Sequence, residues 1–258
     1  MHWQSGRRQP SLKLARGLEV ARHLILRLAS PLIAFGGETI DNFGVIRDFP
    51  ALSMVTGLLA NALGWDRGDD QAHNRLQQRL RIGSALASEG WRLMDFQTVE
   101  LGAADKGWTT WGTPEERRGG AGSYAAPHLR YRDYHADLAA WVALRLEPAD
   151  DAPTLVDIAR ALDKPARPLF IGRKPCLPTG RLVAGWVDAE TLLGALQALV
   201  QREPGSGSGL RAQWPDGEGE LPQDRRLDVC DERNWTSGVH GGWRPVREGL
   251  VRAAERQP

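Results

Sequence analysis

The sequence predicts an α+β fold in which an antiparallel sheet is covered by helices. Short apolar runs without helical period alternate with segments whose apolar residues recur every three or four positions. Their order is strand, helix, strands, a long arm, strand, helix, which suits a layered α+β sandwich. The chain has 258 residues, 41% of them hydrophobic and 25% charged. That is enough apolar material for a real core and no general signal of disorder.

His23-Leu24-Ile25-Leu26-Arg27-Leu28 is short, apolar and β-capable, and Ser30-Pro31 stops it; it is the first core strand. Phe35 to Pro50 carries Gly36, Gly37, Gly44 and Pro50 and reads as a loop. Ser53 is a good N-cap type, and Val55, Leu58, Leu59, Ala62 and Leu63 follow on one helical face. Gly57 inside that helix costs about 1 kcal/mol in propensity, which a close backbone approach would explain. Gly64 ends the helix. A short second helix covers Asp69 to Leu80. Ile82–Ala87 and Trp91–Leu101 read as strands joined by a Ser-Glu-Gly turn.

The composition then changes. Gly102 to Pro127 holds six glycines, two prolines, Trp108, Trp111, Arg117 and Arg118, with no period. A stretch of this length without elements is usually functional or disordered. Its flanks, Gln97–Leu101 and Leu129–His135, are strand-like, so the whole reads as a long protruding hairpin or arm. Ala139–Leu146 returns to the core as a strand. Thr154 caps a helix to Leu162 with Leu155, Ile158, Ala159 and Leu162 on one face. Pro165, Pro168, Gly172, Pro175, Pro178 and Gly180 mark a constrained loop. Leu182–Val187 is a strand and Ala189–Gln201 a helix. Pro204–Gly209 is flexible punctuation, and the remainder is strands and turns with a tight bend at Gly238, Gly241 and Gly242.

Formal net charge is only +1, so a globally basic nucleic-acid binder is not signalled, although Arg117–Arg118, Arg130–Arg132 and Arg173–Lys174 are local basic clusters. Cys176 and Cys230 are too few for a disulfide framework or a zinc site of their own and read as reduced thiols. No apolar run approaches the ~18 residues of a membrane span. Arg7, Arg8, Lys13 and Arg16 have no apolar segment after them before Leu24, which is no secretory signal. The expectation is a cytoplasmic protein without membrane contact. Ten tryptophans are many for this length and serve a core, interfaces or base stacking.

Two segments point to chemistry. In Phe170-Ile171-Gly172-Arg173-Lys174-Pro175-Cys176, glycine permits close backbone approach, and Arg173 and Lys174 supply a fork and a point charge for phosphate. In Leu129-Arg130-Tyr131-Arg132-Asp133-Tyr134-His135, strand alternation puts Arg130, Arg132 and Tyr134 on one face and Tyr131, Asp133 and His135 on the other. Charge for the backbone and rings for bases is what single-stranded RNA binding uses. Both segments also read as ordinary surface: a basic turn and an exposed, ion-paired strand. Tyr134 and His135, with Lys106 or His128, could assemble metal-free acid–base cleavage of RNA. Asp66, Asp69, Asp70 and His73 read as a solvated acidic loop rather than a metal site. Walker, Rossmann and nucleophile-elbow motifs are absent.

Four segments in order resemble a known family. They are Leu24–Leu28 running into Ser30-Pro31 and Ala34-Phe35-Gly36, Arg47–Pro50 leading to Ser53 and Gly57–Gly64, Arg167–Pro178, and Gly238–Gly242. Together they resemble the fifth Cas family, the CasD-type subunits of type I-E CRISPR Cascade in the RAMP superfamily, over about residues 22 to 249. The resemblance implies a ferredoxin-like, RRM-type antiparallel sheet with helices on one face, an inserted thumb hairpin and a small C-terminal β region. The implied organisation is a flexible extension at 1–21, the RAMP domain at 22–203 with the thumb at about 102–128, and a β-rich segment at 204–258 packed on the same domain. It implies a non-catalytic subunit that binds the 5′ handle of the CRISPR RNA and contacts the backbone and large subunits, reaching target DNA only through the complex. Type I-C relatives, whose equivalent subunit is a metal-free ribonuclease, supply the alternative. No cofactor or metal is expected. The expected RNA contacts are Arg27, Arg47, Ser53, Lys106, Trp108, Arg130, Arg132, Tyr134, Gly172, Arg173 and Lys174. The glycine-rich thumb with two tryptophans departs from the family's pattern.

Overall fold

The computed structural model of the chain describes residues 20–40, 42–100, 105–106, 127–202 and 209–253. In chain order its elements are β1 (Ala21–Ala29), β2 (Leu32–Ile33), β3 (Gly36–Ile40), β4 (Phe43–Ile46), α1 (Leu52–Leu63), α2 (Asp70–Arg79), β5 (Leu80–Ser88), β6 (Trp91–Val99), β7 (His128–Ala136), β8 (Ala139–Leu146), α3 (Leu155–Asp163), β9 (Val183–Ala189), α4 (Leu192–Val200), β10 (Leu210–Pro215), β11 (Arg225–Val229) and β12 (Arg244–Val251).

Seven strands form one sheet in the order β11-β12-β10-β5-β8-β1-β9, every pair antiparallel. Within it, β1, α1, β5, β8, α3 and β9 make a β-α-β-β-α-β unit with spatial order β9-β1-β8-β5, the ferredoxin-like arrangement the resemblance implies. Strand alternation sorts the core. Leu24, Leu26 and Leu28 of β1 join one buried cluster with Val55, Leu59, Ile158 and Leu162 of α1 and α3. Ile25 joins a second cluster with Leu192, Leu196 and Leu199 of α4.

The one-face layout of helices therefore needs a correction. It holds for α1 and α3, but α4 covers the opposite face, packed on Ile25, Ala143 and Ala85 and on Ala212, Trp214 and Val251 of β10 and β12. The reason is in the strands, which carry apolar side chains on both sides: Ile25, Ala85 and Ala143 would otherwise face water. A Cβ on Gly83 would lie 3.2 Å from Leu196 Cδ1, so this glycine lets α4 lie close. The broad sheet face on which an RRM stacks bases is thus closed in this chain.

A second sheet runs β2-β7-β4-β3, with β6 paired along β7 from Trp91↔Ala136 to Val99↔His128. Two of these strands, β3 and β4, occupy the Phe35–Pro50 segment expected to be a loop. The glycines there serve strand crowding: a Cβ on Gly37 would meet the Val45 carbonyl oxygen at 2.6 Å. The strands β6 and β7 flank the expected thumb. Apart from residues 105 and 106, the arm's interior, with Trp108, Trp111, Arg117 and Arg118, lies outside the described residues, as do residues 1–19 of the expected extension.

Local signals set the helices with small shifts. The N-cap of α1 is Ala51 rather than Ser53, which is buried in the first turn. Gly64 ends α1 at φ +82°, a conformation that favours glycine. Thr154 caps α3 as expected, and its N–H donates to the Asp157 carboxylate at 3.0 Å while its hydroxyl accepts from the Asp157 N–H at 3.3 Å. Thr191 caps α4, because β9 continues through Ala189.

Candidate nucleic-acid interface

The 170–176 loop is pinned from below by Ile171 and Cys176, both fully buried. The Ile171 N–H donates to the Cys176 carbonyl at 2.8 Å, and the Cys176 N–H to the Arg173 carbonyl at 2.9 Å. Gly172 has φ +87°, and a Cβ there would sit 1.7 Å from the Ala34 carbonyl oxygen. Its close approach is therefore to the chain's own backbone. Arg173 is similarly engaged: Nη1 donates to the Asp133 carbonyl at 2.7 Å and Nη2 to the Gly44 carbonyl at 2.7 Å. Its guanidinium lies 4.9 Å above the Tyr134 ring. Lys174, next in the chain, is exposed. Burial pushes the Cys176 thiol above its ordinary value, as befits an inert core cysteine.

Along β7 the alternation puts Arg130, Arg132 and Tyr134 on one face, but the wet aromatics are elsewhere. Tyr134 is only 4% exposed and belongs to the core, so it cannot stack a base. On the other face Tyr131 stacks on Phe43 (4.9 Å between rings, 12° between planes) and leans on Phe96 at 5.3 Å. Phe43 and Phe96 are half exposed. Arg130 donates to the Asn42 side-chain oxygen at 3.1 Å. Arg132 and Arg173 converge over Gly44, where a Cβ would lie 2.8 Å from Arg132 Nη1 and 2.9 Å from Arg173 Nη2. Arg132 Nη1 is buried without a hydrogen-bond partner among the described residues.

At the start of α1 the first two N–H groups are already taken. Leu52 N–H donates to the Asp231 carboxylate at 2.9 Å, and Ser53 N–H to the Asp231 carbonyl at 3.0 Å. Arg244 holds both oxygens of that carboxylate at 2.8 Å. Arg47 donates to the neighbouring Cys230 carbonyl. Ser53 and Arg47 thus dock the 230–231 segment. His135 Nε2 lies 2.9 Å from the Arg47 carbonyl oxygen, so that nitrogen donates.

A cavity of about 260 Å³ brings Ser53, Gly172 and Arg173 together with Arg233, Trp235 and His240. The last three, and Asp231 with Arg244, were not among the expected site residues. The adjacent Arg233-Asn234-Trp235 was the signal available for them. Arg27 is not part of this assembly: its side chain shares the Ile25 side of β1 and lies 5.6 Å over Trp141, on the α4 face. Lys106 is exposed. Trp108 lies outside the described residues. Asp66, Asp69 and His73 are tied into local bonds, Asp66 to Arg167 and the His73 ring to the Asp69 carbonyl at 2.8 Å. No cluster of metal-ligating groups occurs among the described residues. No described helix is long and apolar enough to cross a membrane.

A family model described as "CRISPR-associated protein (Cas_Cas5)" matches residues 23–247. The chain is also similar to the "CRISPR system Cascade subunit CasD" of Escherichia coli (strain K12), at 30% identity over 185 residues, 72% of this chain and 79% of the relative. A chain of a "CRISPR RNA-guided surveillance complex" shares the fold with a TM-score of 0.63 at 22% identity, over 90% of each chain. A second solved chain, described as "Crystal structure of Cas protein", matches with a TM-score of 0.53 at 22% identity, over 89% of this chain and 95% of that one.

Proposed function

The chain belongs to the Cas5 family of CRISPR-associated proteins, and from that premise we propose that it is a non-catalytic, RNA-holding subunit of a type I-E Cascade surveillance complex. It binds the 5′ handle of the CRISPR RNA and caps one end of the backbone filament. It contacts the adjacent backbone subunit and the large subunit, and serves antiviral defence through target DNA recognised by the whole complex.

The buried Arg132 Nη1 beside Gly44, with no acceptor among the described residues, carries this reading. A buried guanidinium nitrogen without an acceptor is costly, and a phosphate oxygen would satisfy it with a charge-assisted bond. Exposed Lys174 adds a point charge nearby in sequence. The Tyr131, Phe43 and Phe96 rings offer π-faces to unstacked bases. The nuclease alternative loses support from its own candidates. Tyr134 and His135 are 4% and 5% exposed, and the His135 Nε2 proton is committed to the Arg47 carbonyl. A general acid or base must reach the proton it moves.

The test is the salt dependence of binding to single-stranded repeat RNA by the full chain. Each phosphate contact contributes a slope of about −0.7 in log affinity against log salt. Arg132→Ala and Lys174→Ala should each reduce the slope by about 0.7 and weaken binding without a sequence preference. Unchanged slopes in both variants refute the phosphate site. Repeat RNA held with the protein in EDTA should stay intact; specific cutting that disappears in His135→Ala would overturn the non-catalytic assignment.

A further inference from the structure

Beside the cavity at Gly172 lies a larger one of about 720 Å³, between α1, α2 and the segment from Arg233 to Val239. It is within the ~300–1,000 Å³ range of small-molecule sites. One wall is aromatic. His73 is tilted against Trp235 with 4.5 Å between ring centres, and Trp65 meets the other side of that group edge-on to His73 at 5.6 Å. The wall is fixed in place from behind. Trp235 Nε1 donates to the Gln77 side-chain oxygen at 3.1 Å, its backbone N–H to Asn74 Oδ1 at 3.1 Å, and Gln77 Nε2 to the Arg233 carbonyl at 3.0 Å. Arg167 holds the Trp65 carbonyl at 2.6 Å.

The charges lining this cavity are unbalanced. Arg167 is paired with Asp66, but Arg233 and Arg67 have no ion pair among the described residues. Arg233 Nε is buried without a hydrogen-bond partner among the described residues. Burial first, and then the positive charge of Arg67, hold the Arg233 guanidinium below its ordinary value. Its guanidinium lies 5.3 Å over the Trp235 ring. The floor is open because α1 carries Gly57 there: a Cβ would reach Trp235 Cη2 at 3.4 Å, and any longer side chain would enter the space. A rigid π-wall beside two uncompensated guanidinium groups matches the two halves of a nucleotide, a flat base and an anionic phosphate.

We propose that this cavity receives one unstacked nucleotide of the bound RNA, its base against Trp235 and its phosphate on Arg233 and Arg67. The proposal rests on the RNA-holding reading above and adds a specific base-sized socket to it.

The experiment measures affinity of the full chain for single-stranded repeat RNA in which each handle nucleotide in turn is made abasic. In the wild type one position should lose on the order of 10-fold or more, the scale of a single base–aromatic stack. Gly57→Met fills the cavity with a strong helix former, so the fold is retained while the socket is blocked. In that variant the abasic penalty at the one position should vanish. Trp235→Phe should keep the penalty. Arg67→Ala, on an exposed residue, should keep it too and lower the salt slope by about 0.7. If the wild type binds RNA but every abasic position is equivalent, or the penalty survives in Gly57→Met, the socket is refuted and the RNA reading stands. If the wild type does not bind repeat RNA, both fail. If Gly57→Met leaves RNA affinity intact but abolishes co-purification with the other complex subunits, the cavity is a protein socket and the proposal is overturned.

Discussion

Arg173 and Arg233 are both arginines set beside an aromatic ring, 4.9 Å from Tyr134 and 5.3 Å from Trp235, and they do different work. Arg173 spends its fork on two backbone carbonyls, from β7 and β4, over a buried ring. It fastens the 170–176 loop to the second sheet. Arg233 has a buried nitrogen with no acceptor among the described residues, a like charge nearby, and a ring that lines an open cavity. What separates a structural arginine from a ligand-seeking one is therefore not the residue or its ring but where its donors end. A donor satisfied by the chain adds rigidity; a donor left empty beside a cavity calls for a ligand.

The largest effect should come at the most tightly determined point of the structural region. Gly172→Ala places a Cβ against the Ala34 carbonyl at a left-handed φ. It should cost roughly 3–4 kcal/mol in denaturant unfolding, since the loop must move as well as strain. A cost under about 1 kcal/mol would break the claim that this glycine serves an internal contact. Asp231→Asn comes next. It weakens the cap of α1 and leaves Arg244 without its carboxylate. The expected loss is about 2–3 kcal/mol, because a mostly buried ion pair is broken on one side.

The central contrast is the pair Arg173→Ala and Arg233→Ala. The first should lower stability by about 2 kcal/mol through two charge-assisted bonds and a ring contact, with little change in salt slope. The second should change stability by less than about 0.5 kcal/mol, because it removes an uncompensated charge, and should weaken RNA binding. The reverse pattern would invert the assignment. The smallest effect lies away from both regions. The Thr154 backbone N–H, and then its hydroxyl, hold the Asp157 carboxyl below its ordinary value of 3.8. That contribution is fully present above 3.8 and is lost as pH falls through the lower folded value. Hydrogen exchange in α3 should therefore rise only under acid conditions.

The legible parts of the fold were those decided locally. The face of α1 follows from Val55, Leu58, Leu59 and Ala62, and the Thr154 cap from the residue type alone. The layered α+β order followed from the alternation of strands and helices, and the ferredoxin-like arrangement from the family resemblance. Contacts distant in sequence were not legible. The cap of α1 comes from Asp231, 179 residues beyond Leu52, so a serine near the helix start drew the assignment instead. Glycines 37 and 44 read as loop, although a Cβ on Gly37 would crowd the Val45 backbone and one on Gly44 the Arg132 and Arg173 side chains. In β7 the alternation correctly sorted the residues into two faces, yet it carries no information on which face is wet. Tyr134 went to the core, and Tyr131 found Phe43 and Phe96. For the same reason Arg173 was legible as a basic residue in a turn, but not as one whose donors were already taken.

The most direct measurement is ultraviolet crosslinking of the assembled complex followed by mapping of RNA adducts on this chain. Adducts on the peptides that carry Tyr131 and Trp235, and none on the buried Tyr134 ring, are the predicted result. A complex that carries CRISPR RNA but yields no adduct on this chain would contradict the account, leaving its rings and arginines to protein contacts alone.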